Sequence, residues 1–187
     1  MNDDTFVRQL LEALPSQPLV LKRKKFHTFR FGSQHHVWIV TDGLLMSVRS
    51  AEDGRYKGTG LFGANSLLGL SGFYGEDKEV ICFTLSTTTL RSIPTTLLND
   101  LLKSNAGLCH QLMLYSCRMF TRVMDELEVS TLRTLEEQIS SFEHNLREMD
   151  LPEDLSVTET CIAMAIGVHP VSISRARKRL KDGAPPV

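Results

Sequence analysis

Apolar positions change their period along this chain, and the changes mark out its elements. Phe6, Val7, Leu10, Leu11 and Leu14 recur at helical spacing, which predicts a helix over Thr5 to Leu14, ended by Pro15 and Pro18. From Leu19 to about Leu90 the pattern becomes short β-prone runs broken by turns. Val37-Trp-Ile-Val40, Leu44 to Val48, Val80 to Leu85 and Thr87 to Ile93 read as strands. Asp42-Gly43 is a bend, and Ala51-Glu-Asp-Gly54 a hairpin turn whose Asp-Gly pair accepts positive φ. Leu61 to Gly75 is glycine-rich and apolar. Strands at this spacing predict a barrel or jelly roll.

After Pro94 the period is helical throughout. Thr95 to Lys103 forms a short helix, Ala106 to Leu127 a long one, and Leu132 to Met149 another that buries Leu135, Ile139, Phe142 and Leu146. The long helix carries a broad stripe of Cys109, Leu112, Met113, Ser116, Cys117, Phe120, Val123, Met124 and Leu127. Such a stripe is wider than one small barrel covers, so two copies packed together would use it fully. Burial within its own core is the simpler alternative. Asp150-Leu-Pro-Glu-Asp154 is a loop.

The last segment predicts two short helices around a tight turn. Ala163 is small where a second helix must cross closely, and Gly167 stands where the turn needs positive φ. Ile162, Ile166 and Ile173 fall on the facing sides, and Pro170 suits a first helical turn. Ser156-Val-Thr-Glu159 reads as a capping box, with Thr158 as an alternative cap. The second helix is basic, with Arg175, Arg177, Lys178, Arg179 and Lys181, and has Ser172 and Ser174 near its start. An ordinary hairpin with a solvated basic face is the bland reading. The combined signals favour a helix-turn-helix, whose second helix enters the DNA major groove.

Composition narrows the function. Over 187 residues, 42% are apolar and 23% charged, which supports a folded core rather than disorder. A net charge of −1 confines any nucleic-acid contact to a local patch. Lys22-Arg-Lys-Lys25 is a second basic patch, expected on an exposed edge strand that discourages aggregation. No segment reaches membrane-span length and the N-terminus is acidic, so the expectation is a cytoplasmic protein with no membrane partner. Cys82, Cys109, Cys117 and Cys161 lack metal-ligand spacing and are expected to be mostly buried thiols, with redox sensing by Cys109 or Cys117 as the alternative. No catalytic triad or phosphate loop is present, which argues against an enzyme.

Taken together, these residues resemble the CRP/FNR superfamily of bacterial transcription regulators over nearly the whole chain. Val37-Trp-Ile-Val-Thr-Asp-Gly-Leu-Leu-Met-Ser-Val48 is similar to its strand–Gly–strand signature. Phe62-Gly-Ala-Asn-Ser-Leu-Leu-Gly69 looks like the approach to its effector pocket, and Val171-Ser-Ile-Ser-Arg175 like the heart of its recognition helix. The resemblance implies an α+β fold: an N-terminal antiparallel β-roll (a jelly roll) over 1–104, a dimerisation helix over 105–130, and a helix-turn-helix unit over 131–187. It implies double-stranded DNA and a second copy of the chain as partners, with RNA polymerase as a candidate third. His169, Pro170, Val171, Ser172, Ser174, Arg175, Lys178 and Arg179 become the expected DNA-binding residues. A degenerate relative that dimerises and acts through protein contacts is the rival reading.

Departures from the family pattern carry their own expectations. Members that bind cyclic AMP follow the pocket Gly with Glu and place an Arg-Ser or Arg-Thr pair after the pocket. Here Leu70 follows Gly69, and Glu76-Asp-Lys-Glu79 is acidic, so a cyclic phosphate is not expected. No cysteine precedes Cys82, which excludes the N-terminal cluster of the oxygen-sensing branch. His27, His35, His36 and Met46 are the residues haem would need, and each is expected in a surface or core role instead; no cofactor is expected. The family continues into a two-stranded wing after the second helix, whereas this sequence runs into Ala184-Pro-Pro-Val187, so the expected unit lacks its wing, by nature or by shortening.

Overall fold

The computed structural model describes residues 3–182 apart from 15, 33–34, 74–76 and 150. Pro15, Gly75, Glu76, Asp150 and the expected wing position after Gly183 therefore lie outside the described residues. In chain order the elements are α1 (Asp3–Ala13), β1 (Pro18–Leu21), β2 (Phe26–Phe31), β3 (His36–Asp42), β4 (Leu45–Ser50), β5 (Tyr56–Phe62), β6 (Leu67–Leu68), α2 (Leu70–Phe73), β7 (Lys78–Thr84) and β8 (Thr88–Pro94). Helices follow: α3 (Thr95–Ser104), α4 (Ala106–Leu132), α5 (Leu135–Arg147), α6 (Glu159–Ile166) and α7 (Pro170–Asp182).

The strands form two antiparallel four-stranded sheets, ordered β1-β8-β3-β6 and β2-β7-β4-β5. This is a jelly roll, not a closed barrel. Val37-Trp-Ile-Val40 has no polar side because it is covered on both. Val40 faces the roll interior with Phe29, Phe31, Leu45 and Leu90, while Val37 and Ile39 face outward to Phe6, Leu10, Leu98, Leu108 and Leu112 of α1, α3 and α4. Strand β4 repeats the device. Leu45 points inward, whereas Met46 and Val48 pack outward against Leu146 of α5 and Cys161 of α6. Each sheet thus has helices on its outer face, and the C-terminal helices are docked on the second sheet.

Local chemistry sets the helix ends. The Asn105 side chain accepts from the Leu108 N–H at 3.0 Å and starts α4. Helix α4 runs on to Leu132, beyond the expected Leu127. A capping box of Thr134 and Glu137 then opens α5 at Leu135, not at Leu132. The start signal at Ser156 is not the one used: its N–H is drawn to the Leu85 carbonyl of the roll, and Thr158 caps α6 by accepting from Cys161 N–H at 3.3 Å.

Two other expectations are corrected. Lys22–Lys25 is not a strand but the connection between β1 and β2, with Lys24 at φ 57 and Thr84 bonding both its ends. Only two of the four thiols are buried: Cys82, which burial pushes up to about 12, and Cys161, while Cys109 and Cys117 stand exposed on α4.

Two predictions follow from this packing. Gly43 closes the β3–β4 bend at φ 87, and a methyl there would stand 2.2 Å from the Thr87 carbonyl oxygen and 2.6 Å from the Thr88 Cα. Gly43→Ala should cost more than the ~1–2 kcal/mol of a left-handed alanine, read by urea denaturation. The loop before α6 is pinned where the Thr87 N–H donates to Asp154 Oδ2 at 2.9 Å, a bond that holds this carboxyl below its usual range. A depressed folded pKa stabilises above the ordinary carboxylate range and is lost as pH falls through it. The melting-temperature gap between the wild type and Asp154→Asn should therefore be open at about pH 7 and closed at about pH 3.

Candidate nucleic-acid interface

The corner between α6 and α7 is built on one turn. Gly167 adopts φ 87, and the N–H groups of Gly167 and Val168 both reach the Ala163 carbonyl, at 2.8 and 3.0 Å. This reversal brings Ile162 and Ala163 of α6 against Ile173 and Ala176 of α7, with Ile139 of α5 beneath, all buried. Ile166 packs at the margin of the same cluster.

Burying Ile173 and Ala176 decides what α7 shows to solvent. Val171, Ser174, Arg175 and Lys178 share one exposed face at i, i+3, i+4 and i+7, with Lys181 beyond them. Among the described residues Arg175, Lys178 and Lys181 have no ion-pair partner. Ser172 is half-buried. The Ser174 hydroxyl donates to the Glu159 carboxylate of α6. His169 is exposed, and its Nδ1 accepts from the Val171 N–H at 3.3 Å, so it caps α7 while Pro170 takes the first turn.

Basic residues of α7 divide into two groups. Arg177 is paired with Glu143 of α5. Arg179 Nε donates to Glu136 Oε1 at 2.7 Å, and Glu136 is only 4% exposed. Arg179, expected among the DNA contacts, is therefore turned toward its own domain in this structure. Sequence reasoning did not see this division, because Glu136 and Glu143 are a long way back in the chain. Nor did it see that β5 braces the turn: Arg55 Nη1 donates to the Gly167 carbonyl at 3.2 Å, and a Cβ on Gly167 would meet the Lys57 stem at 3.0 Å.

Residues weighed for an effector or cofactor are dispersed. His27 lies on β2 with its Nε2 buried and unbonded, its pKa lowered by burial. His35 is 3.9 Å from Asp77, His36 is exposed on β3, and Met46 is fully buried on β4. Among the described residues no group of His, Cys, Asp or Glu is placed to hold a metal. Gly69, at φ 93, sits against the Phe31 ring, and the acidic side chain expected after it is Leu70.

No protein-family model and no curated protein matches the sequence. Solved structures do. The chain is similar to the c-di-GMP-responsive global regulator CLP of Xanthomonas campestris, at 17% identity and TM-score 0.75, covering 96% of this chain and 92% of that one. FixK2 from Bradyrhizobium japonicum aligns at 15% identity and TM-score 0.76, covering 91% and 86%. A CRP/FNR-family transcriptional regulator from Thermus thermophilus aligns at 16% and TM-score 0.67, covering 89% and 87%. With its roll, long helix and helix-turn-helix in the same order, the chain has the fold of the CRP/FNR-type transcription regulators.

Proposed function

We propose that this protein is a homodimeric, sequence-specific DNA-binding transcription regulator that does not respond to cyclic AMP. One observation carries the reading: α7 buries Ile173 and Ala176 and turns Arg175 and Lys178 outward, unpaired among the described residues. A helix presented in this way enters a major groove, where an Arg side chain can take guanine O6 and N7 together. Arg175 is the base-reading residue, with Val171, Ser172 and Ser174 beside it on the helix. Lys178 and Lys181 contact phosphates, and His169 and Pro170 set the start of the helix at the backbone. Arg179 supports the helix from behind through Glu136.

The dimer reading rests on α4. Leu108, Leu112 and Tyr115 bury one side of its first half against the roll. Met113, Cys117, Phe120, Met124, Leu127 and Thr131 then follow at alternating spacings of four and three, the seam of a two-stranded coiled coil. Phe120 is 67% exposed and Leu127 53% in the single chain, a continuous apolar strip that a partner helix would cover. A two-fold axis along that strip would set two α7 helices roughly 34 Å apart, one turn of duplex. Independence from cyclic AMP is supported by Leu70 and by the Phe31 ring under Gly69.

Selection from random DNA should return a near-palindromic motif; sequence-indifferent binding would sink the specific-reader reading. On that motif Arg175→Ala should cost about 1–3 kcal/mol and relax one base position, while Lys178→Ala should weaken all sequences alike and flatten the salt slope by about one unit. Fluorescence anisotropy at two salt concentrations measures both. Phe120→Asp should convert the dimer to monomer by sedimentation and weaken DNA binding sharply; a dimer that persists refutes the α4 seam.

A further inference from the structure

The open space of this molecule is not where the roll would hold a ligand. Phe29, Phe31, Leu45, Leu68 and Leu90 fill the interior, each buried. Outside it, a cleft of ≈ 710 Å³ lies between β5, the second half of α4, α5 and the end of α6. That is the size of a site for a small organic molecule. We propose that this cleft binds an organic anion with an apolar body.

Its chemistry is mixed in the way such a ligand needs. Leu61, Phe142, Met149 and Ile166 supply apolar wall. β5 is the edge strand of its sheet and pairs only with β4, so the backbone along Gly58-Thr59-Gly60 turns unladdered N–H and C=O groups outward on the cleft side. Lys57, Arg118 and Arg122 line the same space on long stems that reach inward. Of the carboxylates on the wall, Asp125 and Glu148 are exposed at the rim. Glu126 is half-buried, and burial holds its carboxyl above the usual range against the pull of Arg122. Burial thus weakens the inner negative charge and leaves the long cations in excess.

The cleft survives the proposed dimer. Arg118, Arg122, Asp125 and Val129 face it, whereas Met113, Cys117, Phe120, Met124 and Thr131 form the seam. At about 100° per residue these faces are on the order of 150° apart around α4, with Val123 and Leu127 at the rim between them. A ligand here touches the roll, the spine and the reader at once. Occupancy that favours one setting of α5 and α6 against α4 therefore biases where α7 points. This consequence rests on the regulator reading; the binding itself does not.

The test is a fluorescence titration of the full chain with 8-anilinonaphthalene-1-sulfonate, an aryl sulfonate with an apolar body. One saturable site per chain is expected. Arg122→Gln should weaken it about tenfold by removing a charge-assisted contact. Ser141→Trp should abolish it by filling the cleft, and Phe120→Ser, on the opposite face of α4, should leave it unchanged. Affinity indifferent to Arg122→Gln, or lost in Phe120→Ser, overturns the assignment. Anisotropy with selected DNA at saturating dye reads the coupling: a changed affinity supports it and an unchanged one removes it. If the dye binds as expected but no DNA does, the regulator reading fails while the site stands.

Discussion

The outer face of the β2-β7-β4-β5 sheet is apolar and must be covered. Leu44, Met46, Val48, Phe83 and Leu85 would otherwise lie in water, and Leu146 and Cys161 of the C-terminal helices cover them. Two consequences follow from that one packing. It fixes the reader unit on the sensor sheet rather than leaving it on a tether, since Gly58 of β5 lets the backbone of Ala165 approach to where a Cβ would meet its oxygen at 2.9 Å. It also orients α7, because once α6 lies on the sheet the Gly167 turn leaves the next helix one direction, with its Ile173 and Ala176 side against Ile139 and Ile162. The exposed stripe of Arg175 and Lys178 is what remains.

Orientation of α7 about its own axis is held by charge as well as by packing. Glu136 is nearly fully buried, and its Oε2 has no hydrogen-bond partner, so its ionised form depends on Arg179 at Oε1. A buried pair of this kind brings little net stability, because desolvation offsets most of the attraction. What it supplies is register. Rotating α7 by one residue step would pull Arg179 from Glu136 and Arg177 from Glu143 together, leaving a buried carboxylate unpaired. The two arginines facing inward thus serve the one facing outward.

Much of this architecture could be read from residue order. The all-apolar Val37–Val40 run, the Gly167 turn with its flanking isoleucines, and the excess apolar stripe of α4 each carry a local cause that sequence shows directly. The features that escaped depend on partners distant in the chain. Lys22–Lys25 looks like a charged edge strand, but Thr84 gathers its two ends into a turn. Ser156-Val-Thr-Glu159 has the letters of a capping box, yet the Leu85 carbonyl claims Ser156. Thr134-Leu-Glu-Glu137 has the same letters and does form one, in a stretch whose unbroken apolar period hides the helix break. β5 carries Gly58 and Gly60, which weaken a strand signal, and they are there because α6 crosses close above it. At the interface itself the stripe of Ser174, Arg175 and Lys178 was legible, whereas the inward turn of Arg179 needed the position of Glu136.

Helix α4 gives the fold its means of transmission. Tyr115 ties it to the roll by accepting the Leu67 N–H at 2.9 Å, so its first half moves with the sensor. Its remaining turns are continuous to Leu132, and a continuous helix carries displacement along its length without absorbing it. Between α4 and α5 stand two extended residues, Arg133 at φ −105, ψ 148 and Thr134 at φ −64, ψ 163. Both helices are closed independently on either side of that link, α4 through the Arg133 N–H to Val129 and α5 through the Thr134–Glu137 box. A turn of the reader against the spine is therefore taken up at lowest cost by these two residues, since changing their dihedrals breaks no intrahelical hydrogen bond. The cleft lies directly beside this link, with Val129, Ser130 and Gln138 on its wall. Sensor, spine and reader meet where the backbone is least constrained, which is the condition for a small difference in binding to change the setting of α7.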